Sequence, residues 1–227
     1  MDPMASVRAS TRLSIAWAGR PAKEDTDTLV LTIDGLSIDL RVFITDPQRG
    51  GIDWASVGAI SYGEGHSDAT PRLIWTQLLD SRPPPPTEAS AGSFSILNST
   101  DVLETGVMYN PGTELDEAYD EVWRRLSVPP GSKYTVLERV DGVYGLPGSD
   151  QDKAHKLPRA FIARIGGWVL GLGRDEKGEF SAYRDDEGMR KYSFGNGLPT
   201  PSAEVHAGER IHLDVGEWVV RVAGRTG

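Results

Sequence analysis

Residues 28–44, TLVLTIDGLSIDLRVFI, alternate apolar with polar side chains on both sides of Asp34–Gly35. A period of two is the signature of a strand with two unlike faces, and an Asp-Gly pair between two such runs marks a tight hairpin. The same pattern recurs along the chain. RLSIAWAG (12–19), IDWASVGAISYG (52–63, with a bend at Gly58) and GSFSILNS (92–99) read as strands, and RAFIARIGGWVLGLGRD (159–175) reads as two strands around Gly166–Gly167. EFSAYRDDEG and MRKYSFGNG each end on a glycine turn, and the C-terminal stretch through GEWVVRVAG supplies the last short strands. PRLIWTQLLDS (71–81) is open between strand and short helix, with strand favoured. No βαβ alternation occurs, so the chain reads as an all-β meander.

With 227 residues the chain is long enough for one large or two small domains. SVPPGSK (127–133) is the best boundary, since two prolines and a glycine separate apolar segments. It divides the chain into an N-terminal unit, 10–128, and a C-terminal unit, 132–224. GLSIDLRVFI is echoed by RAFIARIGGWVLGL, and EVWRRLS by GEWVVRVAG, as two copies of one barrel-like unit would produce. SRPPPPTEASAG reads as a stiff loop with polyproline II character. DPQRGG reads as a turn and GLPGSDQDKAHKLP as a polar excursion.

A net charge of −9 argues against general nucleic-acid binding, which needs a basic track, and weakly against anionic membranes. The absence of cysteine removes thiolate catalysis, disulfides and cysteine-based zinc sites, and fits a cytoplasmic protein. No apolar run is long enough to span a bilayer as a helix, and the first 20 residues carry no apolar signal core. His206 and His212 could meet across a hairpin, with Asp214 or Glu204 as a third ligand. No recognisable metal spacing joins them, and His66 and His155 stand elsewhere, so no metal is expected. IGGWVLGLGRD lacks the end of a phosphate-binding loop, and no nucleophile-elbow motif occurs. No cofactor is expected.

Six tryptophans suit a barrel interior that is filled or lined by large rings. Trp54, Trp75, Trp123, Trp168 and Trp218 are the candidate ligand-binding walls, for an apolar, partly conjugated small molecule. Glu104, Tyr109 and Arg41 are the candidate catalytic groups, with Asp53 as a further polar contact, to orient a ligand, move a proton or stabilise charge. Glu104 and Tyr109 lie five residues apart. They share a face only if Gly106 introduces a bulge. In ELDEAYDEVWRRL, Leu115, Tyr119 and Val122 fit helical spacing, whereas Tyr119, Glu121 and Trp123 fit strand spacing.

Several landmarks resemble a fungal family typified by a yeast casein-kinase-interacting protein. They are Leu40-Arg41 with Phe43, Asp53-Trp54-Ala55 with Gly58, Trp75 and Asp80, and above all Glu104-Thr105-Gly106, Tyr109 and the turn at Asn110–Gly112. Glu121, Trp123, Gly167-Trp168, Gly171 and Gly216-Glu217-Trp218 continue the series. The resemblance implies two similar, small, antiparallel calycin- or lipocalin-like β-barrels packed in tandem, with LETGVMY (103–109) as a barrel strand and DEVWRRL (120–126) as the strand closing the first. It also implies either a small-molecule barrel, recruited as a cofactor-free cyclase or isomerase of secondary metabolism, or a non-enzymatic adaptor for a casein-kinase-type partner. The acidic TELDEAYDE run suits the adaptor reading. The SRPPPPTEAS insertion and the compact length depart from the family and bear on the kinase role more than on the fold.

Overall fold

The computed structural model describes residues 7–44, 51–82, 90–140, 159–201, 205–214 and 216–227. The loop readings at 45–50, 83–89 and 145–158, His155 and Glu204 lie outside them. Among the described residues fifteen strands occur: β1 (Arg8–Trp17), β2 (Thr26–Ile33), β3 (Leu36–Phe43), β4 (Ile52–Tyr62), β5 (Arg72–Asp80), β6 (Ser90–Ile96), β7 (Asp101–Asn110), β8 (Leu115–Arg125), β9 (Lys133–Arg139), β10 (Arg159–Ile165), β11 (Trp168–Arg174), β12 (Phe180–Asp186), β13 (Met189–Phe194), β14 (Arg210–Leu213) and β15 (Gly216–Arg225).

The β2–β3 hairpin forms as its sequence dictates. Asp34 and Gly35 take φ of 48° and 75°, the two positive angles of the turn type whose twist matches the flanking strands. Residues 71–81 and 115–125 are both strand. Strands β1 to β8 pair in order, and β8 pairs back with β1, so they close an eight-stranded antiparallel barrel. The expected bend near Gly58 is a register shift, with an extra β5 residue opposite Val57–Gly58.

The expectation of a second barrel is overturned. Strands β9 to β15 form an open seven-stranded sheet in the order β13-β12-β11-β10-β9-β15-β14. Strand parity contributes to this, beside the short, exposed end strands. In an antiparallel series an even number of strands brings the last beside the first in opposite directions, and the barrel closes with ordinary ladders. Seven strands leave β13 and β14 running the same way, so closure would require a parallel pair, a less favourable ladder. Both end strands are short and largely exposed. The chain between them packs across the sheet instead, with Leu198 and Val205 on its apolar residues and the Tyr183 hydroxyl donating to the Pro199 carbonyl at 3.0 Å.

The main core lies between the barrel and the sheet rather than inside the barrel. Leu29, Leu31, Ile38, Leu40 and Val57 point outward from β2, β3 and β4 and pack against Phe161, Ala163, Leu170 and Leu172 of the sheet. A polar seam borders this core. Asp27 of β2 accepts hydrogen bonds or ion pairs from Arg184 (2.9 Å), Lys191 (2.6 Å) and Tyr192 (2.8 Å). A second apolar cluster, with Leu137, Ile162, Tyr183, Trp218 and Val220, lies on the opposite face of the sheet. The sequence echo has a topological counterpart: β8 and β15, which carry Trp123 and Trp218, each pair with the first strand of their own sheet.

Candidate functional site in the barrel interior

Outward positions of β2 to β4 are apolar because they meet the sheet, so the alternate positions face inward, and many of these are charged or polar. Thr26 and Thr28, Asp39 and Arg41, Trp54 and Ser56, Gln77 and Asp80, Glu104, and Tyr119, Glu121 and Trp123 belong to this inward set by alternation and register. Glu121 Oε1 accepts from Arg12 Nη1 at 2.6 Å and Arg41 Nη1 at 3.0 Å. Arg12 also reaches Glu24 at 2.7 Å, and Arg41 donates through Nε and Nη2 to Asp39 Oδ2 at 2.9 and 2.8 Å. The Arg41 guanidinium lies 4.6 Å from the Trp54 ring centre and 5.4 Å from that of Trp123, within cation–π range of both. Burial opposes the Arg41 charge, but Asp39 and Glu121 outweigh it and hold the group firmly protonated.

Glu104 sits directly opposite Glu121 across β7 and β8. Two buried carboxylates in that position repel, and Glu121 already has both arginines. The proton therefore resides on Glu104. Burial first, and then the Glu121 charge, push its carboxyl up to about 8. The Tyr119 hydroxyl donates to Glu104 Oε1 at 2.7 Å. Burial and the neighbouring Glu104 in turn raise the phenol well above its ordinary range, so it stays protonated. Two glycines make room for this pair. A Cβ at Gly92 would come within 2.7 Å of Glu104 Oε1, and one at Gly106 within 2.8 Å of the Tyr119 ring and hydroxyl.

The interior is also under-satisfied. Asp39 Oδ1, Gln77 Oε1 and Asp80 Oδ2 are buried without hydrogen-bond partners. Burial raises the Asp39 and Asp80 carboxyls; for Asp80 this outweighs its hydrogen bonds from the Arg82 backbone and from Trp54 Nε1 at 3.0 Å.

The structure brings Glu104, Arg41, Trp54 and Trp123 together. Trp75 joins them on the same inner surface, 6.0 Å from Phe94 between ring centres. Asp53 instead pairs with Arg82 at 3.5 Å, where both side chains are partly exposed. The Tyr109 side chain is not in the barrel interior. The β7–β8 ladder runs from Asp101 to Asn110 without a shift, so Gly106 makes no bulge and Tyr109 points outward, 52% exposed. The phenol beside Glu104 is Tyr119. Trp168 and Trp218 belong to the sheet; Trp168 packs at the edge of the main core and Trp218 is buried in the second cluster. Arg12, Asp39 and Gln77 were not legible as site residues. Glu121 stands among the landmarks of the family resemblance, and strict alternation with Trp123 points to both Glu121 and Tyr119. His206 and His212 are exposed, and among the described residues no group of three His, Asp or Glu side chains is placed to hold a metal ion. Among the described residues, no helix is long and apolar enough to cross a membrane.

Residues 8–221 match the model of a protein family described as Protein HRI1. The chain belongs to the HRI1 family. The match begins at the first barrel strand and ends in β15, so the HRI1 family unit comprises the barrel and the open sheet together. The fold is similar to the crystal structure of the uncharacterised protein YLR301w from Saccharomyces cerevisiae, with a TM-score of 0.75 and 17% identity over 96% of this chain and 98% of that one. At that identity the likeness shows the fold alone. No curated protein matches the sequence.

Proposed function

We propose that this protein is a ligand-binding β-barrel whose interior takes a small molecule carrying N–H or O–H groups, with Glu104 as its proton donor. The unpartnered interior atoms carry the reading. Asp39 Oδ1, Gln77 Oε1 and Asp80 Oδ2 are acceptors. Each such group costs about 1–3 kcal/mol when buried unpaired, and a complementary ligand relieves that cost. The tryptophans alone favour an apolar, conjugated ligand. The charged groups between them favour one with a flat apolar face towards Trp54 and Trp75 and polar edges towards the acceptors. Catalysis at this site would be a cofactor-free isomerisation or cyclisation. Glu104 would give its proton to one ligand atom and recover a proton from another, while the fixed charges of Arg41 and Glu121 set the local field. Native mass spectrometry of the protein taken from cell extract tests the binding. Wild type should retain a small molecule that Gln77→Leu retains about tenfold less. Wild type that emerges empty defeats the reading.

A second reading, docking to a basic protein surface, is favoured by the tip of the β7–β8 hairpin. Val107, Tyr109 and Leu115 are 61%, 52% and 63% exposed there, and Glu114, Asp116 and Asp120 are exposed beside them. A casein-kinase-type protein is the partner that the sequence resemblance implies. Co-purification that is lost in Tyr109→Ser/Leu115→Ser and weakened by salt would support it. Unchanged recovery would defeat it.

A further inference from the structure

The sheet carries a cavity of its own, on the face turned away from the barrel. It has a volume of about 350 Å³, in the range of small-molecule sites. Its chemistry is graded along β9. Lys133, Thr135 and Leu137 alternate on this face, and each has cross-strand neighbours on β10 or β15. Lys133 lies opposite Arg225, Thr135 lies between Arg164 and Ala223, and Leu137 lies between Ile162 and Val220. One end of the cavity is therefore cationic, and its apolar wall is made by Ile162 further along β10, by Val169 across from Arg164, and by Val205.

Three observations make this a site rather than a crevice. First, its described lining holds Lys133, Arg164, His206 and Arg225 and, among the described residues, no carboxylate, in a chain of net charge −9. Second, Arg225 joins the lining from β15 and donates Nη1 to the neutral Gly131 carbonyl at 3.0 Å, and no described carboxylate pairs with it. Third, Thr135 Oγ1 is buried without a partner, next to Arg164. Arg164 itself makes only a long hydrogen bond, 3.5 Å, to the Pro201 carbonyl, and no described carboxylate forms an ion pair with it. A guanidinium and a hydroxyl side by side form a pair of donors suited to a carboxylate.

We propose that this cavity binds a small monocarboxylate with an apolar tail. The carboxylate is held by Arg164 and the Thr135 hydroxyl, with Arg225 adding charge, and the tail lies against Ile162, Val169 and Val205. The site is separate from the barrel interior and differs from it in charge and in ligand class.

Calorimetric titration of the full chain with decanoate and with decanol tests the proposal. Decanoate should bind at least about tenfold more tightly than decanol, the share expected of a charge-assisted contact. Arg164→Met should weaken decanoate about tenfold and leave decanol unchanged. Val205→Trp, at a half-buried wall position, should fill the cavity and remove both. Thr135→Val serves in place of Arg164→Met if that variant fails to fold. Absence of decanoate binding, equal affinity for the two probes, or binding that survives Val205→Trp overturns the proposal. So does binding that is lost in the barrel variant Gln77→Leu.

Discussion

Glu104 and Glu121 face one another in the same interior, and the arginines decide which of them is charged. The Glu104 carboxyl moves from the ordinary 4.5 to about 8, raised by burial and by Glu121. Between those values the folded protein keeps a proton that the unfolded chain has released. Stability therefore falls as pH rises across that window, by up to about 1.4 kcal/mol per pH unit from this group. Glu104→Gln removes the effect. In urea unfolding, wild type and variant should be alike within about 1 kcal/mol near pH 5, and the variant should be the more stable of the two near pH 8. A constant difference at both values would show that Glu104 titrates normally. Tyr119→Phe deletes the hydrogen bond to Glu104. It should cost about 1–2 kcal/mol and raise the Glu104 pKa further, because that bond now favours the charged form.

At the scale of the strand, β7 and β8 approach closely because Gly106 lacks a side chain opposite Tyr119. A Cβ there would stand 2.7 Å from the Ala91 carbonyl oxygen and 2.8 Å from the Tyr119 ring. Gly106→Ala should therefore destabilise the barrel by about 1–3 kcal/mol, read as a lowered urea midpoint with unchanged slope. Much of this element level was legible in sequence. Asp34–Gly35 announced its hairpin because the two positive φ angles demand those residue types. What faces what was less legible. Tyr109 and Tyr119 are equally good phenols on paper, and only an unbroken ladder puts the first outside and the second against Glu104. Asp39 and Arg41 alternate with apolar residues as a solvent-facing row would. They are buried because the apolar face of β3 meets the sheet, and the polar face is left to the barrel interior. Residues 115–125 fit both periods locally, and pairing with β1 and β7 settled them as strand.

At the scale of the molecule, strand parity helps to separate a closed half from an open one. The two halves are held by the shared apolar core and by the Asp27 seam. Burial opposes the Asp27 charge, but Lys191, Tyr192 and Arg184 outweigh it and hold the carboxyl below its ordinary value. It therefore stabilises the fold above the unfolded pKa, and that contribution is lost as pH falls through the lower, folded value. Asp27→Asn should cost about 1–2 kcal/mol near neutral pH, and its difference from wild type should vanish in acid. Closure matters most for the acid. Glu104 is buried on the inner face of the closed ladder, and that burial is the first cause of its raised pKa. The most direct test is a ¹³C-carboxyl NMR titration of Glu104, assigned by its loss in Glu104→Gln. The account predicts a midpoint of about 8; a midpoint near the ordinary 4.5 would contradict it.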